Sequence, residues 1–315
     1  MKRITWPCWL ALTLLLASSL QATAAPRAER ALWTWEAESY AMVDDPAVAE
    51  EAISYLKSRG FDRLYLYADA YRGRHLLRDQ PERYHALIQR LRANGISAYA
   101  LLGSWYLNTE TYVLPERRAD ALAMLQHVLD YNAAAPAAAR FDGANLDIEP
   151  HILDAWNEHT RLGLLRHFLD MSKALMEAKQ ASGQTLLLGP AIPFWLDGYS
   201  LDWNGRQALV SEHMIDTWDY VALMDYRDFA EGRDSILSHA ASELEYARRA
   251  GKPVVIGLEV SPNDINKVTF AEEGPAVFER EVAKVEAALA GDPAFAGFAI
   301  HHYRAWRAWE QRHAE

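Results

Sequence analysis

Short runs rich in β-branched and aromatic residues alternate along this chain with longer stretches whose apolar positions recur every three or four residues. Eight runs read as strands, at 31–36, 63–69, 97–103, 143–149, 185–191, 220–226, 253–260 and 298–303. Helical periodicity is clearest at 46–59, 81–93, 116–132, 153–181, 234–250 and 275–289. Several of these begin with a proline in the first turn or a preceding Asp, and three end near Gly60, Gly95 and Gly251. The stretch 195–216 reads as mostly loop, with a short helix at best. No Gly/Ser linker or low-complexity tract interrupts the pattern, so one domain is the economical reading. Eight strands with seven intervening segments predict an α/β fold, a single (β/α)8 barrel. A doubly wound open sheet is the alternative, but no strand is followed by G-x-G-x-x-G.

The first residues stand outside that pattern. Lys2 and Arg3 precede an apolar run at 9–16, and the small residues Ala22, Thr23 and Ala24 follow. This is the layout of a signal peptide cleaved after about Ala24, with Pro26 arguing against a cut one residue later. An uncleaved anchor is the alternative, but the apolar run is shorter than the ~20 residues a bilayer requires. The expectation is a leader over 1–24 and a periplasmic or secreted barrel over 25–315, without stable membrane insertion. The single cysteine, Cys8, would leave with the leader, which removes thiolate chemistry and disulfides from the mature protein.

Composition narrows the partners. Half of the 315 residues are hydrophobic and 24% are charged, as in an ordered globular protein. Acidic residues outnumber basic ones 43 to 32, and the net charge of −11 disfavours nucleic acid, which binds clustered Lys and Arg.

In barrels of this kind the active site forms at the C-terminal ends of the strands, and alternate side chains of a strand share a face. In the fourth strand Ala144, Leu146 and Ile148 form an apolar set suited to the helix layer, so Asn145, Asp147 and Glu149 face inward. Two carboxylates inside a barrel carry a desolvation cost and raise each other's pKa, as a general acid working near neutrality requires. The seventh strand turns Gly257 and Glu259 inward; Glu259 serves either the site or a structural salt bridge to Arg227 or Arg304. Met224 and Tyr226 face inward from the sixth strand, with Asp225 at its end. The eighth places Ala299, His301 and Tyr303 inside, and the second offers Tyr65, Tyr67 and Asp69 on one face. Trp33, Trp35, Trp105 and Trp195 fall at or just past strand ends, where one or two would serve as platforms for the apolar faces of sugars.

No metal or other cofactor is expected. The first strand carries Trp33-Thr34-Trp35 where a metal-dependent amidohydrolase needs H-x-H, and there is no H-E-x-x-H. His301 and His302 are adjacent and would point to opposite faces of a strand. G-x-S-x-G is absent as well.

Residues 142–149 read DGANLDIE, which resembles the D-G-x-D-x-D-x-E strand-four motif of family 18 glycoside hydrolases, the chitinase-like barrels. Met224-Asp225-Tyr226 resembles that family's M-x-Y run on strand six. The resemblance implies Glu149 as the catalytic acid, Asp147 as the carboxylate that orients a substrate acetamido group, and Tyr226 as a further contact to it. Asp225 would help position the sugar, with Asn145, Asp69, Trp35, Trp105, Trp195, His301 and Tyr303 completing the binding surface. Two departures matter. Asn145 replaces the first inward Asp of the motif, and His301-His302-Tyr303 stands where the family usually carries a tryptophan floor.

Gly257 and Glu259 also resemble retaining barrels with an acid on strand four and a nucleophile on strand seven. Those enzymes place Asn directly before the acid, where this chain has Ile148. The expected function is therefore an exported glycosidase acting on a glycan, one that carries N-acetylhexosamine if acetamido assistance operates. A two-glutamate glycosidase using Glu149 and Glu259, and a non-catalytic sugar-binding barrel, are the alternatives.

Overall fold

A computed structural model of the chain describes residues 28–314. The expected leader over 1–24 and Cys8 lie outside the described residues. From the N-terminal side come β1 (Arg30–Thr34), α1 (Glu36–Asp44), α2 (Pro46–Ser58), β2 (Arg63–Tyr67), α3 (Leu76–Asp79), α4 (Pro81–Ala93) and β3 (Ser97–Leu102). Next are α5 (Arg118–Ala134), β4 (Gly143–Leu146), α6 (Arg161–Ser182), β5 (Leu187–Pro193), β6 (Ser200–Trp203), β7 (Arg206–Leu209) and α7 (Val210–Thr217). The chain continues through β8 (Val221–Met224), α8 (Ile236–Ala250), β9 (Val254–Glu259), α9 (Pro275–Ala288), β10 (Phe295–His301) and α10 (Tyr303–Arg312).

Local chemistry explains the helix ends. Proline opens α2, α4 and α9, where its missing N–H costs nothing. The Asp45 side chain accepts from the Ala47 N–H at 2.8 Å and caps α2. Gly251, at φ 67°, ends α8 in the left-handed conformation that lets the chain turn back toward β9.

Eight parallel strands close into a barrel in the order β1-β10-β9-β8-β5-β4-β3-β2, and these are the eight strands read from the sequence. Their ends differ. β4 stops at Leu146, although the Asp147 N–H still donates to the Leu102 carbonyl at 2.7 Å, so the inward-facing alternation continues past the strand. The stretch 195–216 is more ordered than expected. A 3-10 turn at Phe194–Gly198 leads into the antiparallel pair β6–β7, followed by α7. The expected long helix from 153 begins only at Arg161. α1, α3 and α10 were not anticipated. In α10 the apolar face is built of Tyr303, Trp306 and Trp309, whose aromatic spacing also fits a strand end.

The barrel interior is aromatic. Trp33 stacks on Tyr65 at 5.2 Å, Tyr65 meets Tyr99 edge-on, and Tyr99 meets Tyr220 the same way. Asn145 sits in this layer fully buried. It accepts from the Trp33 indole at 2.9 Å and donates to the Gly189 carbonyl at 3.2 Å, so a polar side chain is satisfied where an Asp would have been charged. The layer supports the floor of the site above it.

Candidate active site

A cavity of about 620 Å³ opens at the C-terminal end of the barrel. Asp147 and Glu149 line it from β4, Trp35 and Glu36 from the end of β1, and His301 from β10. Trp105, Tyr106, Asn108, Thr109 and Glu110 form the wall that follows β3, with Ile152 opposite. Position is set partly by a close backbone approach. Gly103 has φ 100°, and a Cβ there would lie 2.1 Å from the Asp147 carbonyl oxygen. Only glycine lets β3 and the end of β4 pass so closely.

Both carboxyls of the β4 pair are shifted upward. Burial raises Asp147 to about 6, against a smaller lowering by nearby His301. Burial and then the charge of Asp147 raise Glu149 to about 8. Near neutrality the pair therefore holds a proton on Glu149. Glu149 also meets His151 Nε2 at 3.2 Å, an imidazole that burial keeps neutral. Asp147 Oδ1 is buried and accepts no hydrogen bond, so one carboxylate oxygen at the cavity wall is left without a donor. The Tyr226 phenol lies near enough for Glu259, Asp147 and Glu149 to reinforce the upward shift that burial imposes on it.

His301 is fixed from both sides. The Trp35 indole N–H donates to His301 Nε2 at 3.0 Å, so the ring's own hydrogen is on Nδ1, where it donates to Glu259 Oε2 at 2.7 Å. Glu259 Oε1 accepts from the backbone N–H groups of Val260 and Ser261 at 2.8 and 2.6 Å. Burial pushes the Glu259 carboxyl up, but His301 and Ser261 outweigh it and leave it below its ordinary value. Glu259 is thus the anchor of His301, and neither of its oxygens is free. The structural salt bridge to Arg227 or Arg304 does not form: Arg227 pairs with Asp234, and Arg304 with Glu38.

Five other expectations need correction. Tyr303 is the first residue of α10 and lies in the helix layer, with its ring against Tyr55 and its hydroxyl accepting from Arg307. Asp69 is turned away from the cavity toward His75. Asp225 is fully buried just past the end of β8, its Oδ1 3.4 Å from His239 Nδ1, and is not among the cavity-lining residues. Trp195 packs with His151, Trp156 and Tyr199 beside the cavity and is not among its lining residues. The rings of His301 and His302 lie 4.7 Å apart, not on opposite faces. Of the four tryptophans, Trp35 and the largely exposed Trp105 line the cavity, while Trp33 is interior.

Sequence reading missed Glu36, Tyr106, Glu110 and His151. Two of them had a signal in their spacing: Glu36 directly follows Trp35, and His151 stands two residues beyond Glu149. Glu36 accepts from the Ser104 hydroxyl, which ties the ends of β1 and β3 together.

No family model matches the sequence, and a search of curated proteins finds no match. Solved structures do match. A chitinase from Chromobacterium violaceum ATCC 12472 is 15% identical with a TM-score of 0.51, over 91% of this chain and 99% of that one. A glycoside hydrolase family 18 N-acetylglucosaminidase from Paenibacillus barengoltzii is 13% identical with a TM-score of 0.50, over 90% of this chain and 97% of that one. A class V chitinase from Pseudomonas fluorescens Pf-5 is 13% identical with a TM-score of 0.50, over 91% and 100%. Likeness at this identity speaks to architecture alone: this chain has a (β/α)8 barrel fold like that of these chitinases and of the family 18 N-acetylglucosaminidase.

Proposed function

We propose that the protein is an exported glycoside hydrolase, with Glu149 as general acid and Asp147 as the carboxylate that steers a substrate acetamido group. The observation that carries this reading is the pair itself: Glu149 and Asp147 both on the cavity wall, with Asp147 Oδ1 buried and without a donor and with burial raising the Glu149 carboxyl. An acetamido N–H is a donor of the kind that oxygen requires. Glu149 gives its proton to the glycosidic oxygen as the bond from that oxygen to the anomeric carbon breaks. The acetamido carbonyl oxygen attacks the anomeric carbon, and Asp147 offsets the positive charge that develops on the resulting ring. Glu149, now a carboxylate, takes a proton from water as it opens that ring.

A nucleophilic Glu259 is the weaker reading, since its oxygens are committed to His301, Val260 and Ser261. Trp35 and Trp105 supply faces for sugar stacking. Among the described residues, Glu36, Glu110, Asp147 and Glu149 line the cavity and no lysine or arginine does, which disfavours uronic-acid polymers.

The test is release of reducing ends from acetamido, neutral and uronic glycans by the chain, by Glu149→Gln and by Glu259→Gln. The proposal expects activity on acetamido glycans, reduced at least ~1,000-fold by Glu149→Gln with binding retained. Activity on neutral glycans that Glu259→Gln abolishes would replace it with the two-glutamate mechanism. Binding without any release would leave a lectin.

A further inference from the structure

Outside the cavity, three metal-ligating side chains from two separate segments, the β2–α3 connection and α5, converge. Asp69 follows β2, His75 precedes α3, and His127 lies on α5; one ligand atom of each falls within 4.8 Å of the others. His75 Nε2 is 3.0 Å from His127 Nδ1 and 3.4 Å from Asp69 Oδ1. Donor atoms on a tetrahedral ion with bonds of ~2.0–2.1 Å lie roughly 3.3 Å apart, so both spacings match edges of such a site. We propose that Asp69, His75 and His127 bind a divalent transition-metal ion of the zinc type, which staples the segment after β2 to α5.

Charge and hydrogen bonding both favour an ion there. Asp69 and His75 are 8% and 6% exposed, and among the described residues the Asp69 carboxylate has no lysine or arginine partner. It accepts the Ala70 N–H at 2.7 Å and otherwise faces imidazole nitrogen. His75 Nδ1 accepts from the Arg78 N–H at 3.3 Å, so without a metal its hydrogen is on Nε2. That single hydrogen must then serve both His127 and Asp69. Binding moves the His75 hydrogen to Nδ1 and costs the contact with the Arg78 N–H, which keeps the His75 carbonyl at 3.2 Å. His127 is only half-buried, and beside it a cavity of about 210 Å³ lined by Leu77, His85 and His127 gives an ion a path in.

The site reaches the sugar cavity through one segment. Tyr71 lies between Asp69 and His75 in the chain and packs edge-on against Tyr106 at 5.3 Å, and Tyr106 lines the cavity. The Tyr40 hydroxyl donates to the Asp69 carbonyl at 2.7 Å and holds the same segment from α1. A bound ion would brace this wall without touching the reacting atoms.

The experiment is a calorimetric titration of chelator-stripped protein with zinc chloride, repeated for Asp69→Asn, His127→Ala and His85→Ala, with the folding of each checked by circular dichroism. The expected result is one zinc ion per chain, affinity lowered by more than about 100-fold in the first two variants, and His85→Ala unchanged. Cobalt(II) should give the strong visible absorption of a tetrahedral site in the wild type and lose it in His127→Ala. Folded wild-type protein that binds no zinc at tens of micromolar, or binds it equally well in His127→Ala and Asp69→Asn, would overturn the proposal. The glycosidase reading is unaffected by either outcome, because the titration measures no turnover.

Discussion

Glu149 and Asp147 share a wall of the cavity, and their electrostatics lead to a pH profile. The proposed mechanism needs a proton on Glu149 and none on Asp147. Burial raises both, and the Asp147 charge adds to the shift of Glu149. The kcat/KM profile is expected to be bell-shaped, with its acid limb near pH 6 and its alkaline limb near pH 8, both belonging to the pair as a unit. Asp147→Asn removes the charge that helps Glu149 keep its proton. In that variant the Glu149 titration, followed by NMR, should move to lower pH; an unmoved titration would mean burial alone holds the proton. Trp35→Phe deletes the N–H that fixes the His301 tautomer. It should lower kcat/KM by about 10-fold while leaving the Glu149 titration in place.

At the scale of elements, two positions show how the site depends on its supports. Gly103 ends β3 against the backbone of Asp147, and Gly103→Ala adds both a clash and a disfavoured positive φ. The variant should lose ~2–4 kcal/mol of stability by urea melting and lose activity together with it, since the carbonyl that must move belongs to Asp147, the proposed acetamido-steering residue. Glu243 on α8 is fully buried, and burial followed by the charge of Asp197 raises its carboxyl to about 8. A carboxyl raised on folding is stabilising only while protonated. The contribution is whole below the ordinary carboxylate range and is lost as pH rises toward 8. Glu243→Gln should therefore match the wild type at pH 4 and exceed it by roughly 2–3 kcal/mol above pH 8. A gain that is equal at both pH values would mean packing, not ionisation, sets the difference.

Across the whole molecule the ring of helices is closed by α10, which packs Trp306 and Trp309 against Phe278 of α9 and Trp306 against Phe61. Trp309 is fully buried, and its indole N–H is shared by the Phe270 and Glu273 carbonyls at 2.8 Å each. Trp309→Ala should cost ~3–5 kcal/mol, a fall in Tm of roughly 10 °C. Trp309 does not line the cavity, so activity per folded molecule should survive. Charge is distributed with similar economy. The net −11 is not spread evenly, because four carboxyls collect at the cavity while most arginines pair with acids on the outer helices.

Short runs rich in β-branched and aromatic residues were enough to find all eight barrel strands, since each strand buries one face against helices and the other in the barrel. Alternation of apolar and polar residues turned Asn145, Asp147 and Glu149 inward, because register along one strand is a local property. Where the chain turns into a helix or a tight loop, that rule has no hold. Tyr303 looked like the next inward position, yet it opens a helix whose existence depends on burying Trp306 and Trp309 against distant α9. Asp69 kept the pleat in sequence, but the turn after β2 carries it to His75 and His127, sequence-distant partners that no spacing rule connects. Glu259 was rightly placed near the mouth, while its partner could be any nearby cation; only the packing of Trp35, His301 and β9 chose the imidazole. Sequence determines what each segment must bury. Tertiary structure decides which polar ends then meet, because those contacts join residues far apart in the chain and are selected by the closed barrel as a whole.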